Sequence, residues 1–166
     1  MKHLTMLLCV LLLAGGQSHA ADPYPNTSAT VFVDREMLIL ANQVLVLINA
    51  KRQQVGCLPM RPDSTLTLVA RRQSDDMARY HELRHESHDG KQLAARLEDV
   101  GYAYLAVAEN IAAGQMDAEE VVSRWMSSPH HRANIVDCSL RETGVAVARS
   151  NDEPALYWTQ VFGTRM

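Results

Sequence analysis

The chain has 166 residues, with 16 lysines and arginines against 19 aspartates and glutamates and a formal net charge of −3 at pH 7. So mildly acidic a chain offers no electrostatic footprint for nucleic acid and no polybasic face for an anionic membrane surface. Once an N-terminal leader is set aside about 146 residues remain, enough for one core and too few for two comfortable domains.

Residues 1–20 carry the pattern of a secretory signal peptide. Lys2 supplies the positive start, residues 4–14 the apolar run, and Ser18-His19-Ala20 the small-x-small site for cleavage between Ala20 and Ala21. The run is too short to span a bilayer, and Cys9 lies inside it rather than behind a lipidation box. No later stretch reads as a membrane helix, so the mature chain is expected to be soluble and either periplasmic or secreted. Lys2 is the only charged residue removed, which takes the net charge from −3 to −4.

Residues 21–33, with Pro23, Pro25, Asn26 and Ser28, read as a flexible segment, and 34–166 as the folded domain. Asp34 is expected to cap a helix running to about Gln54, with Leu40, Ala41, Val44, Leu45 and Ile48 on one face and Gly56 ending it. Asp63 or Ser64 caps a second helix, to about Leu83, whose buried stripe is Leu66, Val69, Ala70, Met77 and Tyr80. Arg71 with Asp75 and Arg72 with Asp76 are i,i+4 pairs on its wet face. Residues 85–90 form a turn, and Asp89 is placed to cap a short helix over 91–100, stopped by Gly101. Residues 102–115 read mostly as loop, with a short strand over 109–112. Asp117-Ala118-Glu119-Glu120 is a capping-box pattern opening a fourth helix that ends before Pro129. Residues 144–149 and 155–162 are rich in β-formers and flank a turn cluster, which predicts an antiparallel hairpin. Helices first and clear strands last make the class α+β.

Cys57 and Cys138 outlast the leader. In an oxidising compartment such a pair reads as one disulfide, stabilising by about 4 kcal/mol on the chain-entropy model, with two buried thiols as the alternative. Five histidines outlast it too, in two clusters: His81, His85 and His88 upstream, His130 and His131 downstream.

Five motifs occur in order: R-H-E-S-H-D-G (84–90), A-E-N-I-A (108–112), W-M-S-S-P-H-H-R-A-N-I (125–135), R-E-T-G-V-A (141–146) and Y-W-T-Q-V-F-G (157–163). Together they resemble the CAP superfamily of cysteine-rich secretory proteins, venom allergens and plant pathogenesis-related proteins, and most nearly its short secreted bacterial branch. The resemblance spans roughly residues 38–163. It implies a three-layer α-β-α sandwich, with helices on both faces of a small antiparallel sheet, and a central cleft bearing two histidines and two acids. Carried over singly, His85 matches the first histidine, Glu109 the first acid and His131 the second histidine. The second acid is expected three residues after Trp125, where this chain has Ser128. His130 stands where glycine is usual and His88 where proline is common, and Leu83-Arg84 replaces an aromatic-serine pair.

Three functions remain open on these residues. The cleft of His85, Glu109 and His131, with Asn110 and Asn134 pinning its loops, could be a binding site for a small ligand, by family analogy a lipid or sterol. Zn²⁺ or another divalent metal held by His85, His131 and Glu109 would need both rings to converge on it. The same cleft could serve a hydrolase, metal-assisted or using Ser128 with His131 and Glu109, although there is no G-x-S-x-G elbow. An envelope-interaction protein without a small-molecule site is the third function. Catalysis is the weaker expectation because Ser128 replaces an acid. The domain is expected to be a monomer.

Overall fold

The computed structural model describes residues 27–166, with side chains from Arg35 onward; the expected leader and its cleavage site lie outside the described residues. Helix α1 (Thr27–Gln54) begins at Thr27 rather than at Asp34, so residues 27–33 are helical backbone rather than a flexible segment. Nothing in 27–34 breaks a helix, having neither proline nor glycine, and propagation adds one bond per residue once a turn exists. The helix ends as predicted, with Gly56 at φ +80° and the Cys57 N–H donating to the Arg52 carbonyl at 3.0 Å.

Strand β1 (Arg61–Pro62) precedes α2 (Ser64–Tyr80). Asp63 Oδ1 caps α2 by accepting from the Leu66 N–H at 2.9 Å. The helix stops at His81, a non-glycine in the left-handed region at φ 56°, short of the predicted Leu83. Tyr80 leaves the buried stripe and is 40% exposed. Arg71 pairs with Asp75 at 3.0 Å, but Asp76 accepts from the His88 backbone N–H at 2.8 Å instead of holding Arg72. Helix α3 (Leu93–Glu98) is shorter than predicted. Asp89 does not cap it, because its Oδ1 is taken by Ser87 Oγ and the Lys91 N–H.

The larger correction is β2 (Tyr104–Ala113), a ten-residue strand where mostly loop was expected. Helix α4 (Ala118–Ser127) opens on Asp117, whose Oδ1 accepts from the Glu120 N–H at 2.8 Å; the Glu120 carboxylate reaches the Met116 N–H, one residue beyond the box partner. The fourth helix ends before Pro129, as predicted. Pro129 is the first residue of a further helix, α5 (Pro129–Val136), where its missing N–H costs no bond. Strands β3 (Glu142–Arg149) and β4 (Leu156–Arg165) form the predicted hairpin. Sheet order is β1-β3-β4-β2, with β1 parallel to β3 and the rest antiparallel.

The period of two along β3 and β4 divides the core between two faces. Val145, Val147, Leu156, Trp158 and Phe162 pack with Met37, Val44 and Ile48 of α1, Val121 and Trp125 of α4, and Ile135 of α5. Ala146 and Val161 point the other way, against Leu66, Val69 and Ala70 of α2 and Leu97 of α3, as do Ala148 and Tyr157 against Met77 and Ala78. The fold is the α-β-α sandwich of the α+β class. Trp125, Trp158 and Phe162 are fully buried, each contributing on the order of 2–3 kcal/mol.

Close approach, not backbone conformation, explains Gly144. Its φ is not positive, and a Cβ there would collide with the backbone of Leu66 and Thr67, so glycine is what lets α2 lie on β3. Gly163 likewise makes room for the Tyr102 hydroxyl.

Cys57 and Cys138 are disulfide-bonded, with Cα atoms 5.0 Å apart. The bond ties the end of α1 to the segment after α5. Beside it, the fully buried Arg52 donates to the carbonyls of Leu58, Ile135, Asp137 and Leu140 at 2.8–3.0 Å.

Candidate functional site

The site forms where edge strand β2 meets α5 and the loop after α2. An edge strand exposes unpaired backbone groups, and here side chains of α4 and α5 cover them: Trp125 Nε1 donates to the Ile111 carbonyl at 3.1 Å and Asn134 Nδ2 to the Glu109 carbonyl at 3.4 Å. Asn134 Nδ2 also meets Asn110 Oδ1 at 2.9 Å, and Asn110 Nδ2 donates to the His131 carbonyl at 3.1 Å. The two asparagines thus pin helix α5, rather than the loops expected from the sequence, to the strand.

Glu109 has a 3% exposed side chain and meets Arg96 of α3, itself 8% exposed. Arg96 Nη2 donates to both carboxylate oxygens, at 3.1 and 2.9 Å, and to the His85 carbonyl at 3.0 Å. His85 Nδ1 donates to Glu109 Oε1 at 2.9 Å, which fixes the ring tautomer and leaves Nε2 without a partner among the described residues. The His85 side chain is 53% exposed.

His131 is half-buried. Burial holds its pKa below the ordinary imidazole value, and the nearby His85, Arg124 and His130 lower it further. The ring is therefore neutral at pH 7, and its buried Nδ1 has no hydrogen-bond partner among the described residues. His85 is among the groups whose charge acts on His131; the remaining histidines are placed as follows. His81 meets Glu153 at 3.2 Å and Asp152 at 3.4 Å, His88 stacks on Tyr80 with centroids 3.6 Å apart, and His130 is exposed.

Ser128 is the joint between α4 and α5. Its N–H donates to the Trp125 carbonyl and its carbonyl accepts from the Arg132 N–H, while its hydroxyl makes no capping bond. Among the described residues no hydrogen bond joins Ser128 to His131 or His131 to Glu109, so a serine-histidine-acid relay is not assembled.

The residues do not fit a three-ligand metal centre either. Glu109 is already neutralised by a guanidinium, which would repel a dication, and Ser128 offers no carboxylate in place of the second acid. No three His, Cys, Asp or Glu side chains are grouped to hold a metal ion among the described residues.

Arg96 decides this chemistry, and sequence reasoning missed it. The signal was available: Leu93, Arg96, Leu97 and Val100 share one helical stripe, so a charge stood on an apolar face and needed a buried partner.

The cysteine-rich secretory protein family model matches residues 45–162, well over half of the chain. An uncharacterized protein, YkwD, of Bacillus subtilis (strain 168) is 34% identical over 137 residues, covering 82% of this chain and 52% of that protein. The chain therefore spans about half the length of this relative. Among solved structures, an extracellular SCP-domain protein from Bacillus anthracis aligns with a TM-score of 0.69 at 24% identity, over 88% of this chain and 45% of that one. An outer surface protein from Borrelia burgdorferi aligns with a TM-score of 0.68 at 20% identity, over 74% of this chain and 90% of that one. These structural likenesses speak for the fold alone. Family match, relative and sandwich agree: the chain belongs to the cysteine-rich secretory protein (CAP) family.

Proposed function

We propose that the protein is an exported binding module whose cleft beside His85, Glu109 and His131 takes a small polar ligand. One observation carries this reading: Arg96 and His85 already engage both oxygens of Glu109. A carboxylate so satisfied is a poor general base and a good orienting group. What the site still offers a ligand is His85 Nε2 and the neutral ring of His131, on a platform fixed by Asn110 and Asn134.

Export is supported by the leader pattern of residues 1–20 and by the disulfide, which persists in oxidising compartments. No helix among the described residues is long and apolar enough to cross a membrane.

A lipid or sterol ligand is favoured by a different surface. A cleft of about 350 Å³ beside α1 and α4 is lined by Ile39, Val46 and Leu47 together with Asn42, Gln43 and Glu119, with Ile39 51% and Val46 69% exposed. An apolar molecule would lie there rather than beside His85.

The hydrolase alternative is separated by a peptidase and esterase screen of wild type, Glu109→Gln and Ser128→Ala. The binding reading expects no turnover that depends on either residue. Activity abolished by either substitution would overturn it.

A further inference from the structure

We propose that His81, which lies outside the histidine cleft, is a proton-operated latch. As the imidazolium it fastens the β3–β4 loop, residues 150–155, to the end of α2. Its neutral ring releases that loop and opens a second cleft that the loop walls.

Both ring nitrogens of His81 face carboxylates of the loop: Nδ1 lies 3.2 Å from Glu153 Oε1 and Nε2 lies 3.4 Å from Asp152 Oδ2. A neutral imidazole has one N–H and one lone pair, so it can donate to only one of the two. The other nitrogen then turns its lone pair on a carboxylate. Only the doubly protonated ring satisfies both. The charges acting on the ring are those of Glu153 and Asp152. Around them, Tyr157 of β4 donates its hydroxyl to Glu153 Oε1 at 2.9 Å, Ser150 Oγ lies 3.4 Å from Nδ1, and Glu82 is held by Arg84 at 3.0 Å.

The backbone sets the ring in this place. Among the described residues His81 is the one non-glycine with positive φ, 56°, at a helix end where glycine would sit without strain. Strain of this kind gathers where a side chain has a task, and the carbonyls of a helix end favour a cation. The loop depends on that side chain. Among the described residues, His81 is the only group outside the hairpin bonded to residues 151–154. The bonds from the Ser150 N–H to the Ala155 carbonyl, from the Ala155 N–H to the Glu153 carbonyl and from the Asp152 N–H to Ser150 Oγ all stay within the loop. The side chains of His81, Glu153 and Asp152 are 38%, 45% and 82% exposed. Ion pairs so open to solvent hold weakly, so the latch stands near balance and one proton decides it. Residues 147–151 wall a cleft of about 310 Å³, lined otherwise by Met37 of α1 and by Arg71 and Asp75 of α2. Release of the loop moves that wall at Ser150 and Asn151.

The test is amide nitrogen relaxation of the disulfide-bonded protein at about pH 5 and about pH 8.5, either side of the ordinary imidazole pKa of about 6.5, with the His81 ring titrated alongside. At the lower pH the loop amides should be as ordered as those of β3 and β4, with order parameters of about 0.85; at the higher they should fall below about 0.6. Amide signals of Arg71 and Asp75, across the cleft, should shift with the midpoint of the His81 ring. His81→Asn keeps a residue that tolerates the left-handed turn and removes the titrating ring, so its loop should be mobile at both pH values. Asp152→Asn/Glu153→Gln keeps the ring and should free the loop equally, with the His81 midpoint lowered. A wild-type loop equally ordered at both pH values would overturn the proposal. So would a His81→Asn or Asp152→Asn/Glu153→Gln protein with the wild-type pH dependence, or cleft signals that do not follow His81.

Discussion

Replacing Arg96 by methionine tests the ion pair on which the functional reading depends. The partners have side chains only 8% and 3% exposed, so Arg96→Met leaves a buried carboxylate with His85 as its single side-chain partner. Breaking a buried pair from one side costs about 3–5 kcal/mol, against roughly 5–15 kcal/mol for a whole domain. The melting temperature should fall by roughly 10 °C. Urea unfolding followed by tryptophan fluorescence measures the loss, since Trp125 and Trp158 are both fully buried. Adding Glu109→Gln to Arg96→Met removes the stranded charge and should recover part of the stability. A loss below about 1 kcal/mol, the value of a solvated pair, would refute the reasoning and leave Glu109 available for acid-base work.

Reduction of the Cys57 to Cys138 bond, or its replacement by serines, should cost about 4 kcal/mol in the same assay; an unchanged midpoint would show that the bond constrains nothing. Gly144→Ala should destabilise by about 1–3 kcal/mol because the new methyl meets α2 backbone rather than a movable side chain, and a neutral result would contradict the close packing of α2 on β3. His81 and His131 should tilt the pH dependence of stability in opposite directions. The Glu153 hydrogen bond, with Asp152 beside it, raises the His81 pKa, so its contribution is full below an ordinary imidazole pKa of about 6.5 and is lost as pH rises through the raised folded value. Burial lowers the His131 pKa, so stability is highest above about 6.5 and falls as acid forces a proton onto the ring. Stability–pH curves of His81→Gln and His131→Gln, each set against wild type, would show the two slopes; slopes of the same sign would contradict the assignment.

Much of the fold was legible because local signals agreed with tertiary packing. Asp117 caps the helix it was expected to cap, Asp63 is the one of the two offered caps that caps α2, and the alternation of β3 and β4 fixes which residues face α1 and which face α2. Of strand β2 only the short stretch 109–112 was legible, not its ten-residue length. Its alanines, with Glu109 and Asn110, form a poor β pattern, and it exists because β4 pairs with it and α4 and α5 cover its edge. Pro129 carries two opposite local meanings, helix breaker and first helical residue, and only the packing of Ile135 in the core decides between them. The candidate residues His85, Glu109 and His131 were singled out because the motifs that hold them resemble a family pattern. Arg96, Arg52 and Gln73 were not, although each interrupts an apolar stripe of its helix, at Leu93 and Leu97, at Val44 and Ile48, and at Val69 and Met77. A polar residue on such a stripe signals a buried network, and here two of the three line a cleft or a carboxylate.

Native mass spectrometry of the protein taken from its own compartment tests the central claim most directly, comparing wild type with the His85→Ala/His131→Ala double variant. The account predicts a bound small molecule on wild type that is absent from the variant, with the disulfide intact in both. A wild-type mass equal to that of the bare mature chain, or a molecule retained equally by the variant, would contradict it.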